Sequence, residues 1–469
     1  MWRKFSFLVF LIFCLLLSGM TQALSIDVTV AGDPVKGVPD DGDWPGGEAP
    51  PLTIDDNVNT KYLHFKGHLQ PTGFAVTPKF GGKVVTEITF TTANDSPHRD
   101  PVSFELHGSN VGIDGPWTLI ASGDIDDFAQ ADPWPRFTKN ATPITFANAV
   151  AYDHYQVLFT AVRDPAANNF MQIAEVELLA DVTPIAGWGS KDIGNPGIPG
   201  RSFDDAGTWT IQGSGHDIWG NNDGFHYVYR PLAGDGSLQV NLVSMDVTSG
   251  WAKVGPAIRE DLTAGSKHAM TAMTGSNGIQ FVWRLNTNGG SDGVTRGGET
   301  WPKEMRITRS GDEMISEFNY EWLPGLFMWT EIGRITIPMT TDVTIGVVVC
   351  ATNNGALNTA VLDNIMLTAP PYEKPWSLNP PDGATSLPVT QTLSWLPGDS
   401  ATAHDIYLGT DPAALPLVAT QPLGNETYTP PADLMPSTVY YWQVVEQPLG
   451  AAGPVLSFKT ERTGFGEID

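Results

Sequence analysis

Beyond Ala23 the chain nowhere holds an amphipathic helical period for three turns. It consists instead of short alternating runs: Val84-Val-Thr-Glu-Ile-Thr-Phe90, Ser103-Phe-Glu-Leu-His107, Tyr155-Gln-Val-Leu-Phe159, Ser237-Leu-Gln-Val-Asn-Leu-Val243 and Ile279-Gln-Phe-Val-Trp-Arg284. Clusters of Gly, Pro, Asn and Asp separate them, and 49 glycines and 37 prolines supply the breaks. Period-two runs between turn residues are the pattern of antiparallel sheets that bury one face, so the expected fold class is all-β.

At 469 residues the chain is too long for one core. The strand-like Ala174-Glu-Val-Glu-Leu-Leu179 is followed by a Gly/Pro-rich approach, Gly187 to Gly200, that carries no strand pattern. A second break, Ala369-Pro-Pro-Tyr-Glu-Lys-Pro375, cannot pair inside a sheet. The expectation is three tandem β-sandwiches at 24–182, 186–369 and 374–460, with a tail at 461–469 that carries no packing signal.

Arg3 and Lys4 precede an apolar run ending at Leu17, and small residues, Thr21 and Ala23, stand at the −3 and −1 positions of a cut after Ala23. This is the layout of a secretory signal peptide over residues 1–23, with an apolar stretch too short to span a bilayer. The mature protein is expected to be secreted, extracellular or on the cell surface, with no membrane span and as a monomer. Cleavage removes Cys14 and leaves Cys350 alone in an apolar strand-like run, which excludes an intrachain disulfide and suits a buried inert thiol. Stability then has to come from large cores or a bound metal. With 52 acidic against 26 basic residues the net charge is −26, which disfavours nucleic acid and anionic membranes as partners.

The first region opens with Asp40-Asp-Gly-Asp-Trp-Pro-Gly-Gly47, continues through Ile54-Asp-Asp-Asn-Val-Asn-Thr60-Lys-Tyr62 and closes on Met171-Gln-Ile-Ala-Glu175-Val-Glu-Leu178. Together these resemble the discoidin, or coagulation factor type C, galactose-binding-like jelly roll found in carbohydrate-binding modules. The resemblance implies a structural calcium ion, Ca2+, between an early Asp-Gly-Asn-x-x-Thr turn and an Ala-Glu pair on the last strand. Asp56 stands in place of the Gly, while Asp55, Asn57, Thr60, Ala174 and Glu175 match. Calcium takes six to eight oxygens, carbonyls included. Asp55 and Glu175 would give carboxylates, Thr60 its hydroxyl or carbonyl, and Leu52, Asn57 and Ala174 their carbonyls. The alternative is that Asp55 and Asn57 merely make an Asx-turn. By position in the family, Tyr62, His64, Asn94, Arg99 and either Asn168 or Asn169 are the candidates for contacting a sugar. Arg99 would alternatively pair with Asp100, and no Trp is clearly placed there.

The second region holds Gly213-Ser-Gly-His-Asp-Ile-Trp-Gly220, Asp223-Gly-Phe-His-Tyr-Val-Tyr229, Trp251-Ala-Lys-Val-Gly255 and Gly265-Ser-Lys-His268. It is similar to concanavalin-A-like, laminin-G-like sandwiches. It lacks the Glu-x-Asp-x-x-Glu strand that glycoside hydrolases of that fold use. His216, Asp217, Lys253, Arg259 and His268 are expected to pair across the sheet, with a polar groove as the alternative. The third region, with Trp395, Tyr440 and Trp442 on strand-like runs, resembles a fibronectin type III domain. The expected function is that of a secreted, non-catalytic protein binding carbohydrate, matrix or cell-surface glycans. The alternatives are a structural spacer or the accessory region of a secreted glycoside hydrolase.

Overall fold

The computed structural model describes residues 24–462 apart from 168 and 169. The expected signal peptide, Asn168, Asn169 and the end of the tail lie outside the described residues. The chain is all-β, built from antiparallel sheets that pair into sandwiches. Among the described residues no helix is long and apolar enough to cross a membrane. Two compact units are separable: residues 24–377 with Gly398–Ser400, and Leu378–Pro397 with residues 401–462.

The larger unit contains two sandwiches. In the first, a five-stranded sheet runs in the order Val35–Val38, Thr72–Val76, His154–Val162, Pro101–Ser109, Thr118–Asp124. A four-stranded sheet, Leu24–Asp27, Glu175–Val182, Val85–Thr91, Ile144–Thr145, faces it. Phe74, Phe104, Tyr155 and Phe159 from one sheet and Ile88, Phe90, Val176 and Leu178 from the other fill the space between. These are the alternate positions of the runs read from the sequence, as a half-buried strand requires.

The second sandwich stacks two seven-stranded sheets around Leu238, Val240, Leu242, Met305, Ile307 and Phe318 on one side and Val254, Ile258, Ile345 and Val347 on the other. Gly189–Ile193 is a strand in it, paired with Phe225–Tyr229, although no strand was expected between Gly187 and Gly200. It is an edge strand that buries only Gly189 and Ile193 at its two ends, so it shows no apolar alternation. Within this unit the sandwiches share a small cluster of Val30, Phe80, Val182, Phe203 and Leu357, with Phe80 and Phe203 stacked at 5.2 Å. Cys350 is fully buried, and burial pushes its thiol up to about 12, which suits the expected inert thiol.

The inner surface of one sheet of the second sandwich follows from register. Val254 lies opposite Met273 and Met273 opposite Ile279, and all three belong to the core. Lys253, Arg259, His268, Gln280 and Arg284 occupy the alternate positions and project from the other face. Part of that outer face is nonetheless covered, because residues 217–223 reach Lys253, Arg259 and Arg284 on it. Asp223 accepts hydrogen bonds from Arg259 (2.8 Å) and Arg284 (2.5 and 2.8 Å), all fully buried. Arg259 thus pairs across the sheet as expected, but with Asp223 and beside Arg284; His268 lies 3.7 Å from Asp223, and Lys253 pairs separately with Asp217.

The smaller unit is a sandwich of three and six strands around Trp395, Ile406, Trp442, Val444 and Phe458. Its His404 is buried between Glu446 (2.5 Å) and Glu426 (3.3 Å). Burial lowers the imidazole pKa, but the two carboxylates outweigh it and the net shift is upward. The charged form is therefore favoured by folding. This contribution is complete below the unfolded value of about 6.5 and is lost as pH rises through the folded one. Urea titrations of the full chain should show the smaller unit losing stability from about pH 6.5 upward. His404→Gln should abolish that slope, and a slope unchanged by the substitution would remove His404 as its origin.

Candidate functional site

In the first sandwich a short 3-10 turn, Pro50–Thr53, carrying Leu52, leads into the Asp55–Thr60 turn. The Thr60 hydroxyl donates to the Asp55 carboxylate (2.9 Å), and the Asn57 N–H donates to Asp55 Oδ1 (3.2 Å). The same N–H lies 3.1 Å from Glu175 Oε1, which ties the turn to the first residue of the strand Glu175–Val182. Ala174, just before it, is buried, and its N–H donates to Thr91 O (3.0 Å). Asp56 sits at φ 58°, in the left-handed region, which accounts for the Gly expected there and for the tolerance of an Asp.

The turn concentrates negative charge. The Glu175 carboxyl is buried and is a hydrogen-bond neighbour of Asp55; burial, then Asp55 and Asp56, pushes it up to about 10. Two carboxyls turned toward each other in a poorly solvated place need a shared proton or a cation. Among the described residues no three His, Cys, Asp or Glu side chains converge as metal ligands. A cation here would lean on two carboxylates plus hydroxyl and carbonyl oxygens, a donor set that fits calcium and not zinc. Arg201, from the second sandwich, already pairs with Asp56 (3.3 Å) and donates to the Asp27 carbonyl (2.6 Å).

Lys61 follows the turn directly and organises the surface beside it. Its buried ammonium donates to Asn94 Oδ1 (2.9 Å), Asp95 Oδ1 (3.1 Å) and Gln172 Oε1 (3.2 Å). The loop after Val85–Thr91 is thereby pinned to the strand Met171–Ile173, and Asn94 remains exposed. Arg99 does not pair with Asp100, whose carboxylate is held bidentately by Arg136 (2.6 and 2.7 Å). The Arg99 guanidinium lies 4.8 Å over the Phe170 ring, and Phe170 meets the partly exposed Phe65 edge to face at 5.0 Å.

Two expected sugar contacts are corrected. Tyr62 and His64 are fully enclosed, although a strand would ordinarily leave one face open. Trp44, from the acidic opening segment, packs against both rings at 6.1 Å and covers that face. His64 Nδ1 accepts from the Lys66 N–H (3.1 Å), so Nε2 carries the proton and donates to Asp41 (3.3 Å). Asn169 lies outside the described residues. Lys61, Phe65, Phe170 and Arg136 were not anticipated. Phe65 and Phe170 are a hundred residues apart, but each flanks one of the two paired strands Tyr62–His64 and Met171–Ile173, and that pairing is what joins them.

No protein-family model matches the chain, and no curated protein matches it. Among solved structures it is similar to a functionally unknown protein from Saccharomyces cerevisiae, at 18% identity and a TM-score of 0.32 over 40% of this chain and 99% of the other. It is also similar to the family 32 carbohydrate-binding module of Clostridium perfringens NanJ in complex with galactose, at 16% identity and a TM-score of 0.26 over 33% and 99% of the two chains. A third is the F5/8 type C domain of a Bacteroides fragilis protein, at 11% identity and a TM-score of 0.26 over 34% and 97%. One region of the chain is similar to F5/8 type C, galactose-binding-like domains.

Proposed function

We propose that this is an exported, non-catalytic carbohydrate-binding protein whose first sandwich presents a sugar-binding surface beside a structural calcium turn. The observation that carries the reading is the surface that Lys61 assembles: exposed Asn94, Arg99 and the Phe65–Phe170 pair beside it. An aromatic edge gives a pyranose an apolar face to rest on, while the amide and guanidinium bond its hydroxyls. Calcium would be held by Asp55 and Glu175 with oxygens of Leu52, Asn57, Thr60 and Ala174. Its role would be to clip the first turn to the last strand. Export rests on the signal-like N-terminus, and the non-catalytic reading on the lack of a spaced carboxylate pair in the sequence.

The test is binding of the full chain to an array of immobilised neutral glycans. Wild type should bind a subset of them, and Asn94→Ala with Arg99→Ala should weaken that subset about tenfold or more, as loss of central polar contacts does. Arrays on which the double variant matches wild type, or on which wild type binds nothing, would overturn the reading.

A further inference from the structure

The second sandwich carries a groove of its own. Asp217, Trp219, Trp251, Lys253, Gln280 and Thr295 line an open cleft of about 350 Å³. Lys253, Gln280 and Thr295 come from the strands Lys253–Arg259, Ile279–Arg284 and Ser291–Arg296. Gln280 lies directly opposite Thr295, and all three stand on the face turned away from the core. Trp219 and Trp251 come from two loops and are 42% and 44% exposed, an unfavourable placement for large apolar rings that nothing in the core requires.

The polar lining is incomplete in a specific way. Gln280 is 5% exposed and its Nε2 donates to Thr295 Oγ1 (2.9 Å), but its Oε1 has no hydrogen-bond partner. A buried amide oxygen left unmet is costly, so the groove asks for a donor at that point. Lys253 donates to the Asp217 carboxylate and to the Trp251 carbonyl (3.2 Å), which takes two of an ammonium's three N–H bonds. The Lys253–Asp217 pair is neutral overall, and the chain's charge of −26 repels anions.

A ligand that fits has a flat apolar face for tryptophan, hydroxyls that both donate and accept around its edge, and no charge. Those are the properties of a pyranose. A proline-rich peptide would also stack on the indoles, but proline has no N–H to offer Gln280 Oε1. The volume is at the small end of the roughly 300–1,000 Å³ of small-molecule sites, room for one or two rings. We infer that this groove is a second saccharide-binding site, taking one or two pyranose units of a neutral glycan. It is independent of the loop that carries Asn94 and Arg99.

The test is calorimetry on the full chain with cellohexaose, xylohexaose, mannohexaose and laminarihexaose, and with decaproline as the competing class. At least one hexaose should bind and quench tryptophan fluorescence. Trp219→Ala and Trp251→Ala should each weaken it about tenfold, while Asn94→Ala with Arg99→Ala leaves it unchanged. Gln280→Leu should weaken binding and shift the melting temperature only slightly, because within the protein it removes one hydrogen bond, Nε2 to Thr295 Oγ1, along with an acceptor that no protein group uses. The inference fails if no hexaose binds, if binding survives loss of both tryptophans, if the Asn94/Arg99 variant abolishes it, or if decaproline binds as tightly.

Discussion

Replacing Asp223 by alanine should destabilise the second sandwich by about 3–5 kcal/mol, because two fully buried guanidiniums would lose the carboxylate they share. Burial alone would raise the pKa of Asp223, but Arg284 and Arg259 hold its carboxyl below the ordinary range, so folding favours the charged form. Breaking such a cluster is far costlier than removing all of it. The triple variant Asp223→Leu, Arg259→Met, Arg284→Leu should therefore recover most of the loss. Urea unfolding of the two full-length variants checks this; a loss below about 1 kcal/mol for the single variant would mean that water already solvates the arginines. His268 beside them adds a pH signature. Burial, reinforced by the two arginines, lowers its pKa to about 3. Its contribution is complete above the unfolded value of about 6.5 and is lost as pH falls toward the folded one. The two histidines thus act in opposite directions: His404 costs the smaller unit stability above about pH 6.5, and His268 costs the larger one below it.

Calcium is expected to stabilise the first sandwich by about 2.7–4.1 kcal/mol at concentrations of 100 to 1,000 times its dissociation constant. Hydrogen exchange on the full chain should localise the effect. With EGTA, amides of Tyr62–His64, Met171–Ile173 and Glu175–Val182 should lose protection while those of Val439–Gln447 do not change. Glu175→Gln keeps the shape of the side chain but removes the charge, and should abolish the response. Exchange indifferent to both EGTA and millimolar calcium would mean that Asp55 and Glu175 share a proton, and that the turn is held by the hydrogen bonds of Thr60 and Asn57 alone.

What was legible in the sequence is what depends on neighbours along the chain. Strands such as Val85–Thr91 and Ile279–Arg284 were readable because one-sided burial writes a period of two into consecutive residues. The Asp55–Thr60 turn was readable because its hydrogen bonds join residues two to five apart. The edge strand Gly189–Ile193 was not, since its pairing comes from Phe225–Tyr229 and its own residues carry almost no apolar signal.

Partner choice across long separations was decided only by the tertiary structure. Asp100 turns to Arg136 rather than to adjacent Arg99, because the guanidinium of Arg136 reaches it with both nitrogens while Arg99 lies over Phe170. Tyr62 and His64 looked available because an isolated strand has an open face; Trp44 closes it. By itself the sequence determined an all-β chain with an acid-rich turn, because alternation and turn chemistry are local. The tertiary structure determined which residues meet: strand pairing brings Phe65 to Phe170, while loops bring Asp223 to two arginines and two tryptophans to the groove that Gln280 lines. Those contacts join residues dozens to more than a hundred positions apart, and no short-range pattern encodes which will be brought together.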